Sequence, residues 1–240
     1  MSEAIDFKIR ISDLTVRLTG LHQHTLDFCR DYIVESEDFD LWVTATEEDT
    51  LAEIARHSGG GSPEYYEKIC LYRQIAEKLP ALDRFVYHGA AVEVQGKAYI
   101  FTAPPGTGKS THVALLKKHF GDAVTIINGD KPILKVEENG ITVCPCPWAG
   151  KERWQTKKRA PLGGIVLLMR SETNAIRQID PSEYLEKLIL QAFTPEDPEG
   201  FLKTLELMDK VSQSVPFYLL ECNISKAAAE TSYKMMNSEK

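Results

Sequence analysis

The sequence predicts an α/β fold in which mixed, hairpin-rich β-sheets are flanked by helices. Three observations predict it. Two pairs of apolar strands meet at tight turns, one at Gln95-Gly96 and one at Glu137-Glu138-Asn139-Gly140. Between them an apolar strand runs into a Gly/Pro-rich loop and then a helix. The last third carries apolar residues mostly at helical spacing. Hairpins around a strand–loop–helix unit argue for mixed sheets over a purely parallel, doubly wound one.

Taken in order, 7–11 and 14–18 alternate apolar and polar residues as half-buried strands do, 40–44 is a third candidate, and 50–57 suits a short helix. Ser58-Gly-Gly-Gly-Ser-Pro63 is the strongest breaker in the chain. Ser62-Pro63-Glu64 then opens a helix to about residue 78, with Ser as cap and Pro and Glu in the first turn. Tyr65, Ile69, Tyr72, Ala76 and Leu79 recur at steps of four and three, which predicts its buried face. Strands are expected over 85–94 and 97–102, a helix over 109–120, and strands over 123–127, 132–136, 141–144 and 162–169. Helices over 181–192, 199–211 and 225–236 enclose a short strand at 217–221. The expected division is a small β/α subdomain over 1–80 and a larger core over 81–240.

The 240 residues are 43% hydrophobic and 26% charged, as in a soluble globular protein. Apolar runs such as 165–169 fall far short of the ~20 residues that span a bilayer. No basic-then-apolar leader opens the sequence, and five cysteines, an odd number, read as reduced thiols, so a cytoplasmic location is expected. A net charge of −7 argues against broad binding to nucleic acid or anionic membrane.

The chemistry concentrates in Ala103-Pro104-Pro105-Gly106-Thr107-Gly108-Lys109-Ser110-Thr111. The phosphate-binding pattern G-x-x-x-x-G-K-S/T sits between a strand and a helix in the same way, with Ala103 here in place of the first Gly. Gly106 and Gly108 lack a β-carbon, so backbone N–H groups can turn inward around an anion. The helix beginning near Lys109 aims its positive end at the same point. Lys109 suits β- and γ-phosphates, Ser110 suits Mg²⁺, and Thr111 suits support of the loop. Pro105 through Thr111 are therefore the candidate nucleotide-binding residues. The pattern reads phosphates and not the base, so ATP and GTP satisfy it equally.

About twenty residues beyond Lys109, an apolar strand ends in Asn128-Gly129-Asp130. Asp130 suits Mg²⁺ binding, general-base work towards a hydroxyl, or both. Asn-Gly-Asp is also good turn chemistry. His88 precedes the loop in the first strand of its hairpin, where a His could contact phosphate or a catalytic carboxylate. Gly150 to Arg159 places five basic residues in ten; Lys151 and Arg153 are candidates to hold an anionic acceptor, with Trp148 and Trp154 to stack on or cover the site. A solvated basic loop with core tryptophans is the bland alternative.

The ordered set of His88-Gly89, hairpin, phosphate loop and strand ending in Asp130 resembles the HPr kinase and ATP-dependent phosphoenolpyruvate carboxykinase superfamily. The stretch Pro147-Trp148-Ala-Gly150-Lys151-Glu152, followed by Ala160-Pro161-Leu162, is similar to that of small HPr-kinase-like proteins. The resemblance covers roughly 84–237 and implies a P-loop kinase core of that fold. It implies His88 as the active-site His, Lys109 and Ser110 as phosphate and metal residues, and Asp130 as a catalytic acid. The first Asp of the family's acidic pair is Gly129 here, and the N-terminal part is shorter than the usual extra domain.

The reading is an ATP-dependent phosphotransferase using Mg²⁺. Lys109, Asp130 and His88 are its catalytic residues, Ser110 and Asp130 its metal ligands, and Lys151, Arg153 and Trp148 its acceptor contacts. The acceptor is a hydroxyl of a peptide, protein or small molecule. The alternative is a non-catalytic nucleotide-binding module with a regulatory or peptide-docking role. Both monomers and oligomers fit the resemblance. Cys144-Pro-Cys146 lacks metal-site spacing and reads as structural. His22 and His24 read as surface residues, and His112 as lining the nucleotide edge.

Overall fold

The structure is a computed structural model that describes residues 4–57 and 60–238; Ser58 and Gly59 of the breaker lie outside the described residues. The chain forms two compact units, Met1–Leu79 and Pro80–Lys240. The first holds 16 of the 35 acidic residues but 8 of the 28 basic ones, which leaves it near −8 and the second near +1. The acidity of the whole chain therefore belongs to the first unit, while the second is close to neutral. Among the described residues no helix is long and apolar enough to cross a membrane.

In the first unit β1 (Ile5–Ile11) and β2 (Leu14–Gly20) form an antiparallel hairpin, and β3 (Leu41–Thr44) joins β2 in parallel. The hairpin turns on Ser12 and Asp13, both at positive φ. A short α1 (Gln23–Cys29), unmarked by any periodicity, precedes β3, and α2 (Glu47–Ala55) begins with a Thr46/Asp49 capping box. The Ser62 hydroxyl caps α3 (Pro63–Lys78), as the sequence predicts. Tyr72, Ala76 and Leu79 of the predicted stripe are buried, but the buried face is wider than that stripe and is offset from it at the N-terminal end. Tyr65 is half exposed, whereas Tyr66, Glu67, Cys70, Leu71 and Ile75 are buried. The helix is turned by a carboxylate: Glu67, wholly buried, accepts from the Leu21 N–H (2.7 Å), the His22 N–H (3.3 Å) and the Thr25 hydroxyl. It also lies 2.8 Å from His22 Nδ1. A side chain from α3 thus satisfies the amide donors of the two residues that lead into α1, which has no side-chain cap of its own.

In the second unit the sheet runs β4 (Arg84–Val86), β8 (Ile133–Glu137), β9 (Gly140–Cys144), β10 (Ala160–Arg170), β6 (Lys97–Thr102), β5 (Ala90–Val94), β7 (Thr125–Asn128). On its other side β10 pairs in parallel with β12 (Phe217–Cys222), which carries β11 (Ala175–Ile179) at the edge. The sheet is mixed and its hairpins are those predicted, with Gln95 and Gly96 both at positive φ in one turn.

Alternate residues of β6 and β10 feed two apolar layers. Ile100, Ile165 and Leu167 pack with Phe85, Leu134, Leu207 and Val211 on the side of α6 (Pro198–Ser214). Tyr99, Phe101, Val166 and Leu168 pack with Val113, Leu116, Ala228 and Ala229 of α4 (Lys109–Phe120) and α7 (Lys226–Ser238). Upstream in β10, Ala160 and Leu162 reach the first layer although their parity is that of the second. The register against β6 shifts between Leu162 and Gly164, so Gly163 is one extra residue that inverts the alternation.

Two expected elements are split. The 85–94 segment is β4 and β5, broken at 87–89, because the chain leaves the pairing with β8 and joins β6 and β7. His88 therefore lies in the crossing and not within a strand. Gly89 permits it: a Cβ there would stand 2.5 Å from Ile100 Cγ2 and 2.9 Å from the Phe101 oxygen. The 181–192 segment is a 3-10 turn, Pro181–Tyr184, followed by a one-turn α5 (Leu185–Ile189). An Asp180/Glu183 capping box opens the 3-10 turn. Edge strand β11 was hidden by its exposed Arg177 and Gln178.

Candidate functional site

β6 ends at Thr102 and α4 begins at Lys109, and the six residues between them are the Gly-rich loop. Gly106 (φ +75°) and Gly108 (φ +124°) occupy left-handed backbone that other residues rarely adopt. Ala103 is buried without positive φ, so the missing first Gly costs the loop nothing. The Thr107 hydroxyl donates to the Pro104 carbonyl (2.8 Å), and Lys109 Nζ donates to the Ala103 carbonyl (2.8 Å). Lys109 is thereby folded over the loop's concave side. Burial depresses its pKa; the Asp130 charge opposes that fall and the Lys131 charge adds to it. Ser110 follows on the first turn of α4, partly exposed, and no acidic residue lies in that turn. Thr111 is exposed instead of packed beneath the loop.

The carboxylate is delivered by a built turn. Asn128 is fully buried at the end of β7. Its Oδ1 accepts from the Asp130 N–H (2.9 Å) and the Lys131 N–H (2.8 Å), while its Nδ2 donates to the Cys146 carbonyl (3.0 Å). The turn chemistry and the functional placement are therefore the same feature. Asp130 Oδ1 lies 3.3 Å from His88 Nε2, and Lys131 Nζ donates to Asp130 Oδ2 (2.9 Å). The Gly89 N–H donates to the Asp130 carbonyl (2.9 Å), so both backbone and side chain tie the His88 crossing to the turn. Burial alone would raise the Asp130 carboxyl, but the His88 hydrogen bond and the Lys131 charge outweigh it and bring the pKa down to about 2. Asp130 is ionised throughout the neutral range.

The 147–156 segment closes over this turn. The Gly129 N–H donates to the Trp154 carbonyl (2.8 Å), and the Thr156 N–H donates to the Ile127 carbonyl (3.2 Å). A Cβ on Gly129 would lie 2.9 Å from the Ala149 oxygen and 3.4 Å from Trp154 Cβ. A second carboxylate at 129 has no room while the segment lies here. A Cβ on Gly150 would stand 3.0 Å from Asp130 Cβ, which puts the turn beside the carboxylate, with Lys151 and Arg153 exposed on it. Trp148 is only 6% exposed, and Trp154 packs against the α4 layer. Trp148 is buried and anchors the turn with little of its ring left to stack on a ligand, whereas Trp154 is partly buried. Lys158, in the same basic run, instead pairs with Glu93 (2.6 Å).

The structure thus brings His88, Lys109, Asp130 and the Lys151–Arg153 turn to one region. His112 is elsewhere. It points between α4 and α7, with Nε2 2.8 Å from the Ser232 hydroxyl, and burial lowers its pKa to about 4. It is a core histidine and not a nucleotide edge. All five cysteines are free and buried, and burial pushes the Cys146 thiol up to about 12. His22 is tied to Glu67, and His24 lies 2.8 Å from Lys68 Nζ. No group of three or more His, Cys, Asp or Glu among the described residues is arranged to hold a metal. Two residues went unread in the sequence: Lys131, which donates to Asp130, and Arg170, whose guanidinium donates to the loop carbonyls of Thr107 (3.0 Å) and Gly106.

No family model matches the chain, and no curated protein matches it. Among solved structures, the HPr(Ser) kinase/phosphatase from Coxiella burnetii is distantly similar. The match covers 62% of this chain and 87% of that one, at 11% identity and a TM-score of 0.39.

Proposed function

We propose that the second unit binds ATP with Mg²⁺ and transfers the γ-phosphoryl group to a hydroxyl acceptor. The observation that carries this reading is the meeting of two chemistries. A Gly-rich loop with its folded-over Lys109 stands close enough to Asp130 for the carboxylate's charge to act on the ammonium. Lys109 would leave the Ala103 carbonyl for the β- and γ-phosphates, which are stronger acceptors. The Ser110 hydroxyl and the ionised Asp130 carboxylate are hard oxygen donors that suit Mg²⁺, an ion that needs few protein ligands when phosphates supply the rest. The metal would neutralise charge on the transferring group.

The acceptor oxygen forms its bond to the γ-phosphorus as the bond to the β–γ bridging oxygen breaks, leaving ADP. Its proton passes to Asp130, which His88 and Lys131 hold in one orientation. A carboxylate at about 2 is a weak base, so it takes that proton late, after phosphorus has acidified the oxygen. Lys151 and Arg153, exposed on the turn beside Asp130, would hold an anionic acceptor.

A second reading rests on a specific observation. The single, strongly depressed carboxylate and the closed space at Gly129 also fit a module that binds nucleotide without transfer. Asp130→Asn decides between them. With Mg-ATP and cell extract, mass spectrometry should find phosphorylated products with the parent protein. The variant should keep ATP affinity and lose about a hundredfold or more in transfer, the scale of general-base removal. ATP bound with no product from either form would establish the non-catalytic reading.

A further inference from the structure

We propose that Arg170 is a positioning residue of the Gly-rich loop: its guanidinium holds two loop carbonyls outward and thereby aims the Gly108 N–H into the phosphate cradle before a ligand arrives. This rests on the nucleotide-binding reading above.

The placement begins with strand alternation. Val166 and Leu168 face the α4 layer, and Arg170 continues that face at the last position of β10. Pairing with β6 ends at Leu167 opposite Thr102, the residue from which the loop departs, so β10 runs on beside the loop. From there Arg170 Nε donates to the Thr107 carbonyl (3.0 Å) and Nη2 donates to the Gly106 carbonyl.

The Thr107 carbonyl and the Gly108 N–H belong to one planar trans peptide and point in opposite directions. Fixing the carbonyl on the guanidinium therefore turns the amide towards the concave side. The restraint falls where the loop is freest, between two glycines at positive φ. A planar fork suits two neighbouring carbonyls in a way that an ammonium does not.

Calorimetric titration of Mg-ATP and Mg-ADP into the parent protein, Arg170→Ala and Arg170→Lys is the test. Arg170→Ala should bind both nucleotides about tenfold more weakly, because the ligand itself must then order the loop. Its melting temperature should not change, since the side chain is exposed. Millimolar guanidinium chloride should restore much of the lost affinity by refilling the carbonyl site. Arg170→Lys keeps the charge without the fork and should stay several-fold weak.

Parent-like affinity in Arg170→Ala overturns the proposal. Full affinity in Arg170→Lys also overturns it, because charge alone then suffices, and so does loss without guanidinium rescue. Should Arg170→Ala fail to fold, Arg170→Lys decides by the same criterion. If the parent binds neither nucleotide, the nucleotide reading itself fails and this inference with it.

Discussion

Replacing Gly129 by Ala tests how the basic turn is held over the carboxylate. Gly129 is not at positive φ, so Ala brings no backbone strain and only its methyl group matters. That methyl would sit 2.9 Å from the Ala149 carbonyl oxygen, closer than carbon and oxygen tolerate, and 3.4 Å from both Trp154 Cβ and the Trp154 oxygen. Two of the three neighbours are backbone, so no rotamer change relieves them. The 147–154 segment must move, and the bond from the Gly129 N–H to the Trp154 carbonyl lengthens with it. Overpacking of this kind costs about 1–3 kcal/mol, and a strained hydrogen bond adds up to ~1 kcal/mol. A net cost of about 2 kcal/mol lowers the melting temperature of a unit this size by roughly 4–8 °C. Calorimetric melting reads the stability. Trypsin digestion reads the turn, because Lys151 and Arg153 become better substrates as it loosens. A melting temperature within about 1 °C of the parent's, with unchanged cleavage at those two residues, would refute the account of the turn.

Other expected outcomes are as follows. Lys109→Ala should abolish nucleotide binding in the same calorimetric titration; unchanged affinity would remove the phosphate-loop reading. Replacing Lys151 and Arg153 together should raise the acceptor KM or lower kcat, once the mass-spectrometric screen has named a product, while ATP affinity stays put. His112 is buried neutral with a pKa of about 4 against 6.5 when unfolded, so the unfolded chain binds the extra proton between those values. Its stability contribution, about 3 kcal/mol by linkage, is complete above pH 6.5 and lost as pH falls towards 4. Urea titrations across that range should show this slope, and His112→Gln should flatten it. Glu67→Ala leaves the Leu21 and His22 amides and the Thr25 hydroxyl without their acceptor, at about 1–3 kcal/mol each. Hydrogen exchange should show α1 unprotected in that variant and largely protected in Glu67→Gln.

The parts of the site that were legible in the sequence are local ones. Gly106 to Ser110 must lie between a strand end and a helix start to do anything, and a few neighbouring residues define that context. Asp130 was reachable because a short apolar strand delivers it. The break between β4 and β5 was not legible, because 85–94 is mostly apolar on both sides of His88 and only Gly89 hints at the close approach to Phe101. The C-terminal half of the α3 face was legible, with Tyr72, Ala76 and Leu79 buried, but its N-terminal half was not, for an electrostatic reason. Periodicity puts charges outside, whereas Glu67 is inside because three donors distant in sequence converge on it. Arg170 looked like an ordinary charged residue ending an apolar strand; its partners lie more than sixty residues upstream. Trp148 could be singled out by type, but whether an indole is buried or offered to a ligand is decided by its neighbours.

The extra residue in β10 bears on how this chain tolerates insertions and deletions. Downstream of Gly163 the strand is locked between β6 and β12, so a single-residue deletion there would throw Val166 and Leu168 onto the wrong layer and carry Arg170 away from the loop. At Gly163 the same deletion would remove the extra residue itself, leave 164–170 in place and keep Ala160 and Leu162 on the first layer opposite β6. Length changes in the basic segment can thus be absorbed at one glycine without disturbing the Gly-rich loop. Homologues that differ in the length of that segment should carry the difference upstream of Gly164.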